Sequence, residues 1–441
     1  MAFTSIPDSE DEAAVGVTRR YAWVVFALSF GLLISDYMSR QVLNAVFPLL
    51  KAEWALSDTR LGLLSGIVAL MVGVLTFPLS LLADRWGRVR CLALMAALWS
   101  LATLGCGLAQ NYGEMFAARF LVGVGEAAYG SVGIAVVLSV FPKQMRATLT
   151  GAFMAGGMFG SVLGMALGGG IAAHMGWRWA FAGMALFGLM LAALYPLVVR
   201  EAKVAPRRAA SQERPALRCL FDSRSVCAAY IGSGLQLFVG GSFIVWMPSF
   251  MNRYYAMGAD RAGAAAAGVV LASGAGMILC GMLSDRLCRN TPSRKIALAM
   301  FYCLSSAALL ILGFSLAPGA AQLALIGGGM FLAAGTTGPA GAMVANLTPR
   351  AIHGTAFATL TLANNLLGLA PGPFLTGALA DRCGLAQACQ LVPLVSVAAA
   401  LVFLYARSHY ERDVARRMAA TAQAAQSGPR GQASQAGMGR A

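Results

Sequence analysis

The chain has 441 residues, of which 58% are hydrophobic and only 12% are charged, and its formal net charge is +15. Soluble domains carry about 25% charged residues, so this composition excludes a soluble globule, a disordered chain and a disulfide-rich secreted fold. The apolar runs are about 20 residues long, twice the length of a strand in a transmembrane barrel, and they predict a helical membrane protein.

A polar tail opens the chain, and twelve apolar segments follow it. The tail ends at Arg19-Arg20, but the next apolar run continues to about Phe47 without a small-residue cleavage site, so it is not an export signal. Each segment is long enough to cross the hydrocarbon core of a bilayer as a helix. The segments are predicted at 21–47, 60–82, 90–109, 113–141, 147–173, 178–199, 226–250, 261–283, 295–316, 321–346, 354–380 and 386–406.

A stretch rich in arginine and proline separates the first six segments from the last six. The chain is therefore expected to divide into a cytoplasmic tail (1–20), a six-helix bundle (21–200), a cytoplasmic linker (201–225), a second six-helix bundle (226–406) and a largely disordered cytoplasmic tail (407–441). Most Lys and Arg residues lie in segments that are inside when both termini are cytoplasmic, as the positive-inside rule requires. We expect a multi-pass plasma (inner) membrane protein that binds no nucleic acid.

One motif recurs after the second and eighth segments, as SLLADRWGR at 80–88 and GMLSDRLCR at 281–289, and a second recurs at 142–148 and 349–355. This repetition predicts two pseudo-symmetric bundles around a cavity that opens to either side. A carboxylate among arginines where a helix leaves the membrane can latch one conformation. The residues expected to act in this gating are Asp84, Arg85, Arg88, Asp285, Arg286 and Arg289.

The repeated motif, GWRWAF at 176–181 and RFLVGVGEA at 119–127 resemble the major facilitator superfamily over about residues 21–406. Within it, GVGEAAY at 123–129 resembles the Spinster-like branch and neighbouring organic-anion symporters. The resemblance implies a cavity lined by the first, fourth, seventh and tenth helices. The chain departs from the family in having Ser80 in place of glycine. Relatives commonly show Asn-Tyr-x-Asp-Arg in the first helix, where this chain has DYMSR at 36–40.

Four charged residues lie inside predicted spans: Asp36 and Arg40 in the first, and Arg119 and Glu126 in the fourth. Each costs about 2.5–3.5 kcal/mol at the centre of a membrane helix on insertion scales, so their presence indicates pairing or function. Helical rise places the two carboxylates near the midplane and the two guanidinium groups just outside it. Asp36 and Arg40 are i,i+4 neighbours, whereas Glu126 has no partner within its helix and is the better proton carrier. A purely structural network between the two helices remains the alternative.

The second half offers neutral polar groups at similar depth. Gln236, Thr336, Thr337, Asn364 and Asn365 are candidates to hold the polar body of a ligand, with hydrogen bonding between helices as the alternative for the two asparagines. Trp246 is another candidate, or else an anchor at the membrane interface. Tyr37 and Tyr129 adjoin the charged layer and are expected in the cavity wall.

These features predict a secondary transporter that takes up a small organic anion, a carboxylate, with protons by alternating access. Glu126 and Asp36 would couple protons, and Arg40 and Arg119 would bind the anion. A proton-coupled exporter, a Spinster-like lysolipid carrier and, from another class, a non-transporting sensor or scaffold remain as alternatives. No nucleophile–base pair, metal set or phosphate loop is apparent, so no enzyme activity, cofactor or metal is expected. The chain is expected to be monomeric, and a disulfide between Cys383 and Cys389 is left open.

Overall fold

The structure, a computed structural model, describes residues 17–201, 220–288, 293–349 and 352–427, and within these ranges every regular element is a helix. A single 3₁₀ turn, Lys143–Met145, precedes α6, and a π-helical turn, Asn365–Leu369, follows α13. The α-helices are α1 (Arg19–Trp54), α2 (Asp58–Trp86), α3 (Arg88–Leu108), α4 (Tyr112–Glu126), α5 (Tyr129–Ser139), α6 (Arg146–Met175), α7 (Trp177–Val198), α8 (Arg224–Tyr255), α9 (Ala259–Leu287), α10 (Arg294–Ser315), α11 (Ala320–Ala334), α12 (Thr337–Leu347), α13 (His353–Asn364), α14 (Pro371–Cys383), α15 (Leu385–Leu391) and α16 (Leu394–Ser427).

Eleven helical stretches in the described ranges are long and apolar enough to cross a membrane. The remaining stretch, 353–383, consists of α13, the π-helical turn and α14, and its two α-helices of 12 and 13 residues are each too short to count alone. Together these make twelve spans, which confirms the predicted all-α membrane fold. The fourth and tenth spans are interrupted where α4 gives way to α5 and α11 to α12. Such short breaks leave the apolar pattern intact, so the sequence does not reveal them.

The tight turn between α2 and α3 depends on a glycine. Gly87, between α2 and α3, has φ +104°, a conformation that L side chains rarely adopt. The carboxylate of Glu201 then caps α3, accepting the backbone N–H groups of Arg88 at 2.7 Å and Val89 at 2.8 Å. Glu201, the third residue after α7, thereby ties the start of α3 to the end of the first half (residues 19–201).

Small residues bring the first half against the second half (residues 220–427) at two helix crossings. A Cβ atom on Gly66 of α2 would collide with the carbonyl oxygen of Ala370, next to α14. Likewise, a Cβ on Gly263 of α9 would collide with the carbonyl oxygen of Met165 in α6. Only glycine permits backbones to approach this closely. Both crossings therefore bring the helix backbones of the two halves into direct contact.

Four charged residues join the halves at one end of the bundles, which we call the closed end: Lys51, Asp58, Arg253 and Asp381. Arg253 of α8 donates to both carboxylate oxygens of Asp58, at 2.6 and 2.7 Å, and Lys51 of α1 lies 2.5 Å from the same carboxylate. Asp381 of α14 accepts the backbone N–H groups of Asp58 and Thr59, each at 2.8 Å, and so caps α2. The cross-half ion pair and hydrogen bonds seen in the described ranges all involve this cluster.

The closed end sits opposite the basic end, which is the end where α1 and α8 begin and α7 ends. Trp246 of α8 reinforces the closed end, because its buried ring lies 5.5 Å from that of Phe47 in α1 and its indole N–H donates to the carbonyl oxygen of Pro373. The two halves are thus held together by charge, by aromatic packing and by backbone contact at the same end.

We predict that Arg253→Gln shifts the protein away from the state that is closed at this end. Hydrogen bonds to charged groups contribute about 1.5–3 kcal/mol, so the ratio of closed to open molecules should fall by about tenfold or more. Nitroxide labels at Gln110 and Pro318, one in each half near the closed end, would report the change as longer electron–electron distances, in a background without the native cysteines.

Arg178→Gln is the matched control. Arg178 pairs with Glu53 at 2.9 Å near the same end, but both residues belong to the first half, so its loss should leave the distance distribution unchanged. An unchanged distribution in Arg253→Gln, or an equal change in Arg178→Gln, would show that the Asp58 pair does not hold the halves together.

Candidate functional site

Three of the four intramembrane charges meet in one cluster between α1 and the end of α4. The Nε atom of Arg40 lies 3.3 Å from Asp36 and 2.7 Å from Glu126. Asp36 and Glu126 are each only 2% exposed, whereas the Arg40 side chain is 19% exposed. Arg40 is therefore the member of the cluster that solvent or a ligand reaches first.

Local structure explains why these side chains meet. Asp36 and Arg40 are one helical turn apart in α1 and face the same way. Glu126 is the last residue of α4, at the break that precedes α5. Both Glu126 oxygens lack a hydrogen-bond donor among the described residues, so its contact with Arg40 is an ion pair without hydrogen-bond alignment. The carboxylate is therefore fully buried and is held by its charge attraction to Arg40.

Arg119 lies beside this cluster and makes different contacts. It is 1% exposed and donates to the backbone carbonyl of Ser39 at 3.0 Å and of Leu64 at 3.4 Å. These bonds tie α4 to α2 and to α1, and the bond to α1 is at Ser39, the residue before Arg40. The contacts resemble those of a positioning residue more than those of a ligand-binding one.

The two tyrosines predicted in the cavity wall differ in their surroundings. Tyr37 is half-buried, with the guanidinium carbon of Arg40 5.3 Å from its ring centroid. Tyr129 is fully buried, donates its hydroxyl to the carbonyl of Ser29 at 2.6 Å and packs edge-on against Trp99. Tyr37 therefore accompanies the charged cluster, while Tyr129 is engaged in packing within the first half.

The second half presents amide side chains with unpaired polar atoms. Gln236 in α8 is 2% exposed, and neither its oxygen nor its nitrogen has a hydrogen-bond partner among the described residues. The side-chain oxygens of Asn364 and Asn365 are likewise unpaired, and Asn365 begins the π-helical turn. Such turns are frequent at functional sites, and a buried amide without a partner suits a hydroxylated ligand.

The remaining candidates of the second half are already hydrogen-bonded. The hydroxyl groups of Thr336 and Thr337 each donate to a backbone carbonyl three residues earlier, at 3.0 Å. Trp246 is fully buried in the closed end, as described above, and does not lie at the surface as an interfacial anchor would. Cys383 and Cys389 are both free thiols.

The gating motifs at the basic end form contacts within their own halves. Asp84 pairs with Arg88 at 2.9 Å, and both side chains reach solvent. Asp285 pairs with Lys295 at 2.6 Å, while Arg289, another residue expected to act in gating, lies outside the described residues. Arg85 and Arg286 are exposed. In the described ranges, the charged groups of the two motif copies do not meet across the halves.

The closed-end cluster is the feature that the sequence reasoning missed. The sequence patterns described above assign no role to Lys51, Asp58, Arg253 or Asp381. A signal was available, because both acids stand at the ends of apolar segments on the side with few basic residues. Hydrophobic periodicity does not reveal which cations from other helices bind a carboxylate at the start of a helix.

Comparison with known proteins agrees with this architecture. The sequence profile of the Major Facilitator Superfamily matches residues 29–366 and residues 229–431. A probable L-galactonate transporter of Escherichia coli (strain K12) is 25% identical over 326 residues, which are 69% of this chain and 72% of that protein. Protein spinster homolog 1 of Bos taurus is 26% identical over 412 residues, which are 86% of this chain and 77% of that protein.

A solved structure shares the fold. It is a bacterial homolog of the human lysosomal transporter Spinster, in an inward-facing and occupied conformation, with a TM-score of 0.81 at 20% identity. The match covers 90% of this chain and 99% of that one. The family profile covers more than half of the chain and shows that the chain belongs to the major facilitator superfamily, as a membrane transporter and not an enzyme.

Proposed function

We propose that this protein takes up a small sugar acid together with a proton by alternating access. The charge balance of the cluster carries the proposal. Asp36 and Glu126 contribute two negative formal charges. Arg40 in the cluster and Arg119 beside it contribute two positive ones, so the four residues together are neutral when the site is empty. One proton on a carboxylate leaves a single positive charge, which the carboxylate of one substrate molecule neutralises. The site is then neutral both empty and loaded, as movement through a low-dielectric interior favours.

Glu126 is the proposed proton carrier. It is buried, it lacks a hydrogen-bond donor in the described residues, and it contacts Arg40 directly. A proton on Glu126 removes the ion pair and releases Arg40, whose planar guanidinium can hold a carboxylate through two parallel hydrogen bonds. Asp36 stays beside Arg40 and keeps it oriented. Departure of the substrate returns Arg40 to Glu126 and expels the proton.

The two ends of the molecule supply the gates. The Asp58–Arg253 pair closes one end, while the motif residues at the basic end pair within their own halves. This arrangement supports a state that faces the basic end. The distribution of Lys and Arg supports placing that end in the cytoplasm of an inner-membrane protein, and we further propose that the carrier works as a monomer.

The substrate class rests on chemistry in both halves. A sugar acid has a carboxylate for Arg40 and several hydroxyl groups for the unpaired amide of Gln236 and the unpaired side-chain oxygens of Asn364 and Asn365. The relative named as a probable L-galactonate transporter supports this class. The Spinster relatives support the alternative of an exporter or a lysolipid carrier, which the direction of movement in right-side-out and inside-out vesicles distinguishes.

We predict that Glu126→Gln abolishes uphill uptake of L-galactonate driven by a pH gradient, because the amide cannot exchange a proton. Exchange of labelled for unlabelled substrate needs no net proton movement and should stay within a few-fold of wild type. Both rates are measured in proteoliposomes, with an imposed pH gradient for uptake and none for exchange.

Glu114→Gln is the control for this variant. Glu114 lies in the same helix, α4, but is exposed and accepts the backbone N–H of Gln110 at 2.8 Å, a role that glutamine also fills. Uphill uptake should survive in Glu114→Gln. Undiminished uphill uptake in Glu126→Gln would remove Glu126 from the coupling scheme.

We predict that Arg40→Lys weakens L-galactonate binding by at least about tenfold, equivalent to about 1.4 kcal/mol, because an ammonium group cannot form the two parallel hydrogen bonds. Calorimetric titration of the purified protein gives the affinity, and thermal unfolding shows whether the variant is folded. Arg60→Lys is matched to it, since Arg60 also stacks on a tyrosine, with its guanidinium carbon 5.5 Å from the ring of Tyr112, but near the closed end. Equal affinities in wild type and a folded Arg40→Lys protein would contradict the assignment.

A further inference from the structure

A groove on the outer surface of the second half has no role in the transport scheme. It lies between the start of α8 and the part of α16 that forms the end of the twelfth span, and its volume is about 410 Å³. Phe221, Arg224, Ile231, Leu401 and Tyr405 line it, and Arg224 is the charged residue among the side chains that form the groove. All five side chains are exposed in the protein alone.

Arg224 lacks a counter-ion in the described part of the chain. Its one polar contact there is with the imidazole Nε2 of His409, at 3.4 Å. On α16, the carboxylate of Asp413 instead accepts hydrogen bonds from the hydroxyl of Ser223 and the backbone N–H of Ser225, at 2.8 and 3.0 Å. Asp222 is exposed and forms no ion pair with Arg224. A guanidinium group therefore stands at the rim of an apolar groove with its charge unbalanced.

The depth of Arg224 matches that of a lipid headgroup. Arg224 and Arg253 are the first residue and a last-turn residue of α8, about 44 Å apart along a straight helix, close to the full thickness of a bilayer with its headgroups. Ile231 lies about 10 Å further along the helix, within the hydrocarbon region. The groove therefore runs from headgroup depth at Arg224 into the acyl-chain region at Ile231 and Leu401.

From this geometry we propose that the groove between α8 and α16 binds one acidic phospholipid, with its phosphate on Arg224 and an acyl chain along Ile231 and Leu401. The apolar lining excludes a soluble anion as the occupant, because such an anion would leave the lining uncovered. A lipid without net charge would leave Arg224 without a counter-ion. Basic pockets between helices at a cytoplasmic membrane face are typical sites for acidic lipid headgroups.

Native mass spectrometry of the full-length protein in mild detergent tests the site, with phosphatidylglycerol and phosphatidylcholine of identical acyl chains as probes. The wild type should retain one phosphatidylglycerol molecule at least about fivefold more than phosphatidylcholine. Arg224→Gln should abolish this preference. Ile231→Trp, which fills the groove without changing charge, should lower retention of the lipid with Arg224 still present.

Arg407→Gln is the matched control, because Arg407 is exposed on α16 at the same end of the molecule but does not line the groove. Its lipid preference should equal that of wild type. The proposal fails if Arg224→Gln and wild type retain phosphatidylglycerol equally, if both lipids bind wild type equally, or if inorganic phosphate displaces the lipid. Because the readout is bound lipid, its outcome does not depend on whether the transport scheme holds.

Discussion

The contact of Arg40 with two buried carboxylates is the interaction on which the candidate site depends. A charge in the interior of a membrane protein is tolerated when a partner of opposite sign lies next to it, and removal of one partner leaves the other exposed to a medium that cannot solvate it. Here one guanidinium serves two acids from two helices, so α1 and the end of α4 are fixed relative to each other. Because Arg40 is shared by both acids, a change in the charge of either Asp36 or Glu126 alters which groups Arg40 contacts.

The two ends of the molecule differ in the same physical terms. At the closed end, Asp58 is almost fully buried and receives cations from both halves, so its ion pair crosses the line along which the halves separate. At the basic end, Asp84 and Arg88 are four residues apart in sequence and both reach solvent. An ion pair in solvent contributes little to stability, and this one does not join the two halves. A carrier that alternates between two states needs this asymmetry, since only one end is closed at a time.

Much of the fold could be predicted because membrane insertion imposes a simple rule, a long apolar run for every span. That rule locates the twelve spans, and the sequence then shows which four charged residues lie inside them. The rule does not show which of these charged side chains contact each other. The i,i+4 pairing of Asp36 with Arg40 was visible in the sequence, but the contact of Arg40 with Glu126 depends on the break after α4 and on how α1 packs against it. Arg119 illustrates the same limit, since its partners are backbone carbonyls that no sequence pattern identifies.

The glycine at the crossing of α2 and α14 has a consequence beyond packing. A Cβ atom on residue 66 would lie too close to the carbonyl oxygen of Ala370. An added methyl group would therefore destabilise the conformation in which α2 and α14 cross here, and not one in which they have separated. The residue at position 66 thus affects which of its two conformations the carrier adopts at rest. Sequence variation there would retune how long the protein dwells in each orientation while leaving the chemistry of the binding cavity untouched.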